Sequence, residues 1–130
     1  MRAPSIPLLL LLLVAPAPSA TYKTARIIIG TNAGEIERNV AALLADRIHE
    51  PSGIEARVLD EAAPPATPAT GELTILLGVP QTHARLRTIM EAQRIRPLTG
   101  LAPGPEGFLL QTVVDGNQRI LIAAGIDQRG

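Results

Sequence analysis

The 130-residue chain has no cysteine, no tryptophan, one tyrosine and one phenylalanine. Without cysteine there is no disulfide, no thiolate nucleophile and no Cys-based zinc site. With Tyr22 and Phe108 as the only rings, the chain lacks the aromatic platform on which sugar-binding faces pack sugar C–H groups. A surplus of one charge is missing too, because 12 Lys and Arg stand against 12 Asp and Glu. That balance excludes the basic footprint of a nucleic-acid binder and the excess acid of a solvating tail. What is present is a 46% hydrophobic content, that of a globular protein, together with 12 Pro and 11 Gly, the mark of a loop-rich chain. The length allows one compact domain.

The N-terminus carries its own signal. Arg2 gives a positive start, residues 8–14 are an unbroken apolar run, and Ala15, Ala17, Ser19 and Ala20 supply small residues after it. This is the three-part pattern of a secretory signal peptide over residues 1–20, with cleavage near Ser19 or Ala20 and a secreted or periplasmic product. The apolar run falls short of the roughly 20 residues that cross a bilayer. A processed leader is therefore expected rather than an anchor, with no membrane contact after cleavage.

Further along, residues 26–30 read as a short buried strand ended by Gly30. Asn32 and Glu35 have the spacing of a capping box. Behind them Ile36, Val40, Leu43, Leu44 and Ile48 recur at helical spacing as one apolar stripe, up to Pro51 and Gly53. Residues 55–59 form a second strand, and the Ala/Pro/Thr-rich stretch 62–71 a surface linker. Residues 73–78 form a third strand. Pro80 opens a second helix with Leu86, Ile89 and Met90 inward, and a proline-rich loop covers 96–106. Two last strands, 107–114 and 118–124, flank Asp115-Gly116 as a hairpin. The pattern predicts an α+β domain, a mixed sheet of about five strands with two helices packed on it. The segments 27–29, 75–77 and 120–124 are apolar at consecutive positions, as in strands buried on both faces. Two helices cannot cover both faces of five strands, so a further helix or another domain is expected over the remainder.

Residues that could carry chemistry are few. His49 and His83 are the only histidines and fall on separate helices, with no HExxH; a metal site needs three or four ligands. The loop from Gly30 to Gly34 follows a strand and opens a helix, but it has neither the GK[ST] ending nor the GxGxxG spacing of a phosphate loop. Glycosidase chemistry needs two carboxylates facing each other across roughly 5–9.5 Å. Glu35 and Glu37 are two apart on a helix and point different ways, while Asp60 and Glu61 end a strand as solvated acids. Arg85, Arg87, Arg94 and Arg96, with Glu91 among them, read as a solvated face. No catalytic, cofactor-binding or metal-binding residue is assigned.

The C-terminal third carries a resemblance. Gly104-Pro105-Glu106-Gly107-Phe108, the hairpin, and then residues 122–130 with Asp127, Arg129 and Gly130 resemble the N-terminal accessory domain of secreted glycoside hydrolases. That domain precedes the catalytic barrel in α-glucuronidases, and its relatives precede β-hexosaminidase barrels. Ala41-Ala42-Leu43-Leu44-Ala45, Ser52-Gly53 and Leu77-Gly78-Val79-Pro80 extend the similarity over residues 24–130, whereas the linker at 62–71 departs from it. The resemblance implies a β-hexosaminidase domain-2-like fold over 21–130, truncated before a catalytic (β/α)8 barrel that would be its C-terminal partner. Carbohydrate would be reached only through that barrel, in plant-polysaccharide or glycan breakdown. The catalytic carboxylates of such enzymes belong to the barrel, so none carries over. The implied roles are structural: Gly107 permits close backbone approach, Phe108 anchors the core, and Asp127 and Arg129 orient a turn into a following helix. Two other classes stay open, a free-standing carbohydrate-binding module and a small interaction domain using an apolar sheet face.

Exported protein is expected to begin at Ala20 or Thr21, which N-terminal sequencing checks; a membrane-bound product that keeps Met1 contradicts the leader.

Overall fold

The computed structural model describes residues 21–63 and 67–130; the leader and residues 64–66 of the linker lie outside the described residues. The elements are β1 (Thr24–Ile29), α1 (Glu35–Ser52), β2 (Glu55–Asp60), β3 (Glu72–Gly78), α2 (Ala84–Ala92), β4 (Phe108–Asp115) and β5 (Gln118–Gly125). They form a five-stranded mixed sheet in the order β2-β1-β3-β5-β4, parallel from β2 to β5 with β4 antiparallel at the edge. This is the α+β arrangement that the hydrophobic pattern predicts. No helix among the described residues is long and apolar enough to cross a membrane.

The central strands are apolar on both faces because a helix lies on each. Ile27, Ile29, Ile75 and Leu77 pack with Ala33 and Ala41 beneath α1. Ile28, Leu76, Ile120 and Ile122 pack with Leu86, Ile89 and Met90 beneath α2. Fully burying one such side chain contributes about 1.5–3 kcal/mol, so these two layers dominate the stability. The hairpin between β4 and β5 closes through Gly116 and Asn117, with positive φ at Gly116 alone, the pattern of a type II′ turn.

Four expectations change. Helix α2 opens at Ala84 behind His83 rather than at Pro80, because the Thr82 and His83 N–H groups bond the Val79 carbonyl in a turn before it. The cap of α1 is Gly34 rather than Asn32, and Glu37 rather than Glu35 reaches back, its Oε2 accepting the Gly34 N–H at 2.7 Å. The reason is local: Ala33 N–H bonds Gly30 O, so residues 30–33 are spent on a turn before the helix begins. The apolar stripe of α1 also splits. Ala41 is fully buried and Leu44 and Ile48 face the sheet, but Ile36, Val40 and Leu43 stay about half exposed. Finally, Phe108 is no core anchor, being 70% exposed. Alternation along β4 turns Leu109 and Val113 toward the α2-side core and leaves Phe108, Leu110 and Val114 on the other face.

That other face has a partial roof. Helix α1 lies over β2, β1 and β3, while Leu121 and Ala123 of β5 are only half-buried and Leu110 and Val114 of β4 are exposed. Neither helix covers them as α1 covers β2, β1 and β3.

The rotation of α1 is testable. Ala41→Leu is expected to cost about 1–3 kcal/mol through overpacking, whereas Leu43→Ala should stay within about 0.5 kcal/mol. Chemical denaturation of both variants checks it; equal effects contradict the observed face.

Candidate functional site

In open sheets with parallel strands, ligands bind beyond the carboxyl ends of neighbouring strands whose helices leave to opposite faces. Here those strands are β1 and β3, since α1 and α2 pack on opposite sides. The crevice between the β1–α1 and β3–α2 loops is filled by the chain itself. His83, the N-cap of α2, has no solvent exposure. Its Nε2 donates to the Ile28 carbonyl at 3.1 Å, and its Nδ1 lies 2.9 Å from Glu61 Oε2 and 3.3 Å from the Leu86 N–H. A Cβ at Gly30 would collide with the Thr82 carbonyl. The loops are therefore in contact, with no room for a ligand.

Glu61 occupies the place where an anion would otherwise sit. Its carboxylate accepts the N–H groups of Arg85 at 2.8 Å and of Ala84 and Thr31 at 3.1 Å. Burial opposes its charge, but the amides of Arg85, Thr31 and Ala84 and the nearby His83 outweigh burial and hold its pKa at about 2, against an ordinary 4.5. Free N–H groups at a helix start and the helix dipole both favour an anion. A second carboxylate works on the α1 side. Glu37, 5% exposed, accepts the Val79 N–H at 3.2 Å and the Thr82 hydroxyl at 2.7 Å as well as its own cap. Glu61 thus has two donors on each oxygen, whereas Glu37 has two on Oε1 and one on Oε2 and borders the open trough beside α1. Glu61 is no solvated strand-end acid. Its partners lie more than twenty residues away, and only the neighbouring of β1, β2 and β3 brings them to it.

The remaining candidates separate. His49 is exposed at the end of α1, near the Ile54 carbonyl, and no group of metal-binding side chains exists among the described residues. Arg87, Arg94 and Arg96 are exposed and Arg85 half-exposed. The two segments carrying the family resemblance do meet. Ile126 N–H bonds Gly107 O at 3.0 Å, and Arg129 pairs with Glu106 at 3.0 Å and Asp127 at 3.4 Å. The Arg129 N–H, 2.8 Å from Asp127 Oδ1, chiefly lowers the Asp127 pKa. Gly104 is buried with φ +105, and a Cβ at Gly107 would strike the Pro103 ring and one at Gly130 the Gly107 carbonyl. Pro105 is exposed beside them. Gly107, Asp127 and Arg129 thus build a tight turn, not a reactive site.

The face beside α1 is open. Ile36 and Val40 of α1 wall a trough whose floor is Leu77, Gly78, Ala123 and Gly125 and whose end is Asp127, Gln128 and Gly130. On the same face Tyr22, Leu73, Thr112, Val114, the exposed Arg119 and Leu121 line a second depression. Both aromatic residues of the chain therefore lie on the uncovered face. No protein-family model matches the chain, and no curated protein matches it.

A depressed carboxylate stabilises the fold above its unfolded pKa and loses that contribution as pH falls through its folded value. Glu61 titrates at about 2 when folded, so its share, on the order of 3 kcal/mol, is full above about pH 4.5 and lost toward about pH 2. Between about pH 5 and 2 the wild type is expected to lose that much more stability than Glu61→Gln; parallel acid slopes in urea unfolding contradict it.

Proposed function

We propose that the chain is the non-catalytic N-terminal accessory domain, or a truncated copy of one, of a secreted α-glucuronidase-like glycoside hydrolase in plant-polysaccharide or glycan breakdown. Its trough is then the seat of the catalytic (β/α)8 barrel expected beyond residue 130. The observation that carries this reading is the uncovered apolar face, where Ile36, Val40, Leu43, Phe108, Leu110 and Val114 are all at least 45% exposed. Large apolar side chains exposed together on one face point to an interaction site, and each one covered there gains up to about 1.5–3 kcal/mol. Two further features support it. The ligand crevice is closed by Glu61 and His83, as suits a domain that performs no chemistry itself. The turn from Ile126 to Gly130 ends at the trough, so a following segment would enter it directly.

The free-standing carbohydrate-binding reading has one observation in its favour, the placement of Tyr22 and Phe108 on this same face. The chain alone is expected to turn over neither aryl glucuronides nor aryl N-acetylhexosaminides and to bind an apolar fluorescent dye, with Val40→Gln plus Leu110→Gln reducing that binding. Joining it at residue 130 to an α-glucuronidase barrel should raise the Tm and abolish the dye signal. Turnover that vanishes on replacing one acidic residue, or a chain that binds no dye, overturns the proposal. Polysaccharide binding lost in Phe108→Ala decides for the second reading.

A further inference from the structure

The two edges of the sheet are built differently. Edge strands expose unpaired backbone groups, and proteins shield them with charge, proline or bulges. At one edge β2 carries Glu55, Arg57 and Asp60. At the other, β4 runs from Phe108 to Val114 without a charge, a proline or a glycine. The backbone direction along β4 follows from the hairpin. Asp115 and Gln118 flank the two-residue turn, so in the antiparallel ladder they form a hydrogen-bonded pair, and alternate residues turn their N–H and C=O away from β5. Those residues are Val114, Thr112, Leu110 and Phe108. The Gln93 amide, donating to the Val114 carbonyl at 2.7 Å, agrees with this and caps that position. Among the described residues no hydrogen bond reaches the outward groups of Phe108, Leu110 and Thr112.

We propose that this edge pairs with the same edge of a second copy of the chain, forming a continuous ten-stranded sheet about a twofold axis through Leu110. The register follows from the cap. With Val114 occupied, the antiparallel pairing that uses all three free residues sets Leu110 opposite Leu110 of the second copy and Phe108 opposite its Thr112. Residues paired in an antiparallel ladder share a face, so Leu110, 64% exposed, and Phe108, 70% exposed, are covered by their counterparts and the uncovered faces of the two copies join. No like charges meet along the strand, and the balance of 12 basic and 12 acidic groups removes long-range repulsion between copies. This inference concerns the strand edge; it uses Phe108 and Leu110 of the face proposed for the barrel but leaves the trough beside Ile36 and Val40 free.

The test is the mass of the full chain in solution, by sedimentation across a dilution series, together with residue-resolved amide exchange. The expected result is a dimer whose Leu110 and Thr112 amides exchange about tenfold or more slowly than after dilution to monomer. Thr112→Pro removes an outward N–H that bonds nothing within the copy, and is expected to give folded monomer, while Thr112→Ala keeps the dimer. Should the proline variant fail to fold, Leu110→Arg, which places like charges at the twofold axis, is expected to give the same monomer. A chain that stays monomeric at its highest soluble concentration overturns the proposal. So does a dimer whose Leu110 and Thr112 amides exchange freely, and so does protection of those amides only when a different protein supplies the strand.

Discussion

Two carboxylates hold together the carboxyl end of this sheet, Glu37 buried and Glu61 partly exposed. Glu61, at the end of β2, gathers the first amides of α2, the Thr31 amide and the ring of His83. Glu37, in the first turn of α1, gathers Val79 and Thr82 from the β3–α2 loop. Each therefore crosses from one loop to the next, and between them they set where both helices begin. A buried amide without an acceptor costs about 1–3 kcal/mol, and the Val79 N–H held by Glu37 is such an amide. The direction in which α1 and α2 leave their strands, and thus which part of each face they roof, follows from these anchors.

The same anchors decide what the molecule can and cannot do. A crevice at the end of parallel strands is the usual place for a ligand, and here His83, Glu61, Gly30 and Thr82 close it from within. Chemistry at that point is excluded by contact rather than by lack of polar groups. The surfaces the two helices leave bare are the trough beside α1 and the edge of β4. Both are apolar, and both involve the alternate residues of β4 that face away from α2, which makes that strand the most consequential in the fold.

The two-sided burial of β1 and β3 was legible in the sequence because runs such as Ile27-Ile28-Ile29 and Ile75-Leu76-Leu77 leave no polar face to point at water. The shortage of cover followed from the same runs, once two helices were set against five strands. The 104–108 and 126–130 segments stood out in the sequence as two separate motifs; their meeting through Ile126 and Gly107 and the pairing of Arg129 with Glu106 were not legible there. The rotation of α1 was not legible. Ile36, Val40 and Leu43 fit a helical stripe as well as Ala41, Leu44 and Ile48 do, and only the Glu37 anchor chooses between them.

The sequence by itself determined the elements, the hairpin at Gly116, the balance of charge and the absence of cysteine chemistry. These depend on neighbours within a few residues, whose spacing and backbone preferences act before any tertiary contact forms. Tertiary structure alone decided that Glu61 pairs with the buried His83, that Phe108 is outside the core, and that one sheet edge is shielded while the other is bare. Those outcomes depend on the order β2-β1-β3-β5-β4. Strand order is a choice among long-range pairings, and it leaves no periodic trace in the residues that it brings together.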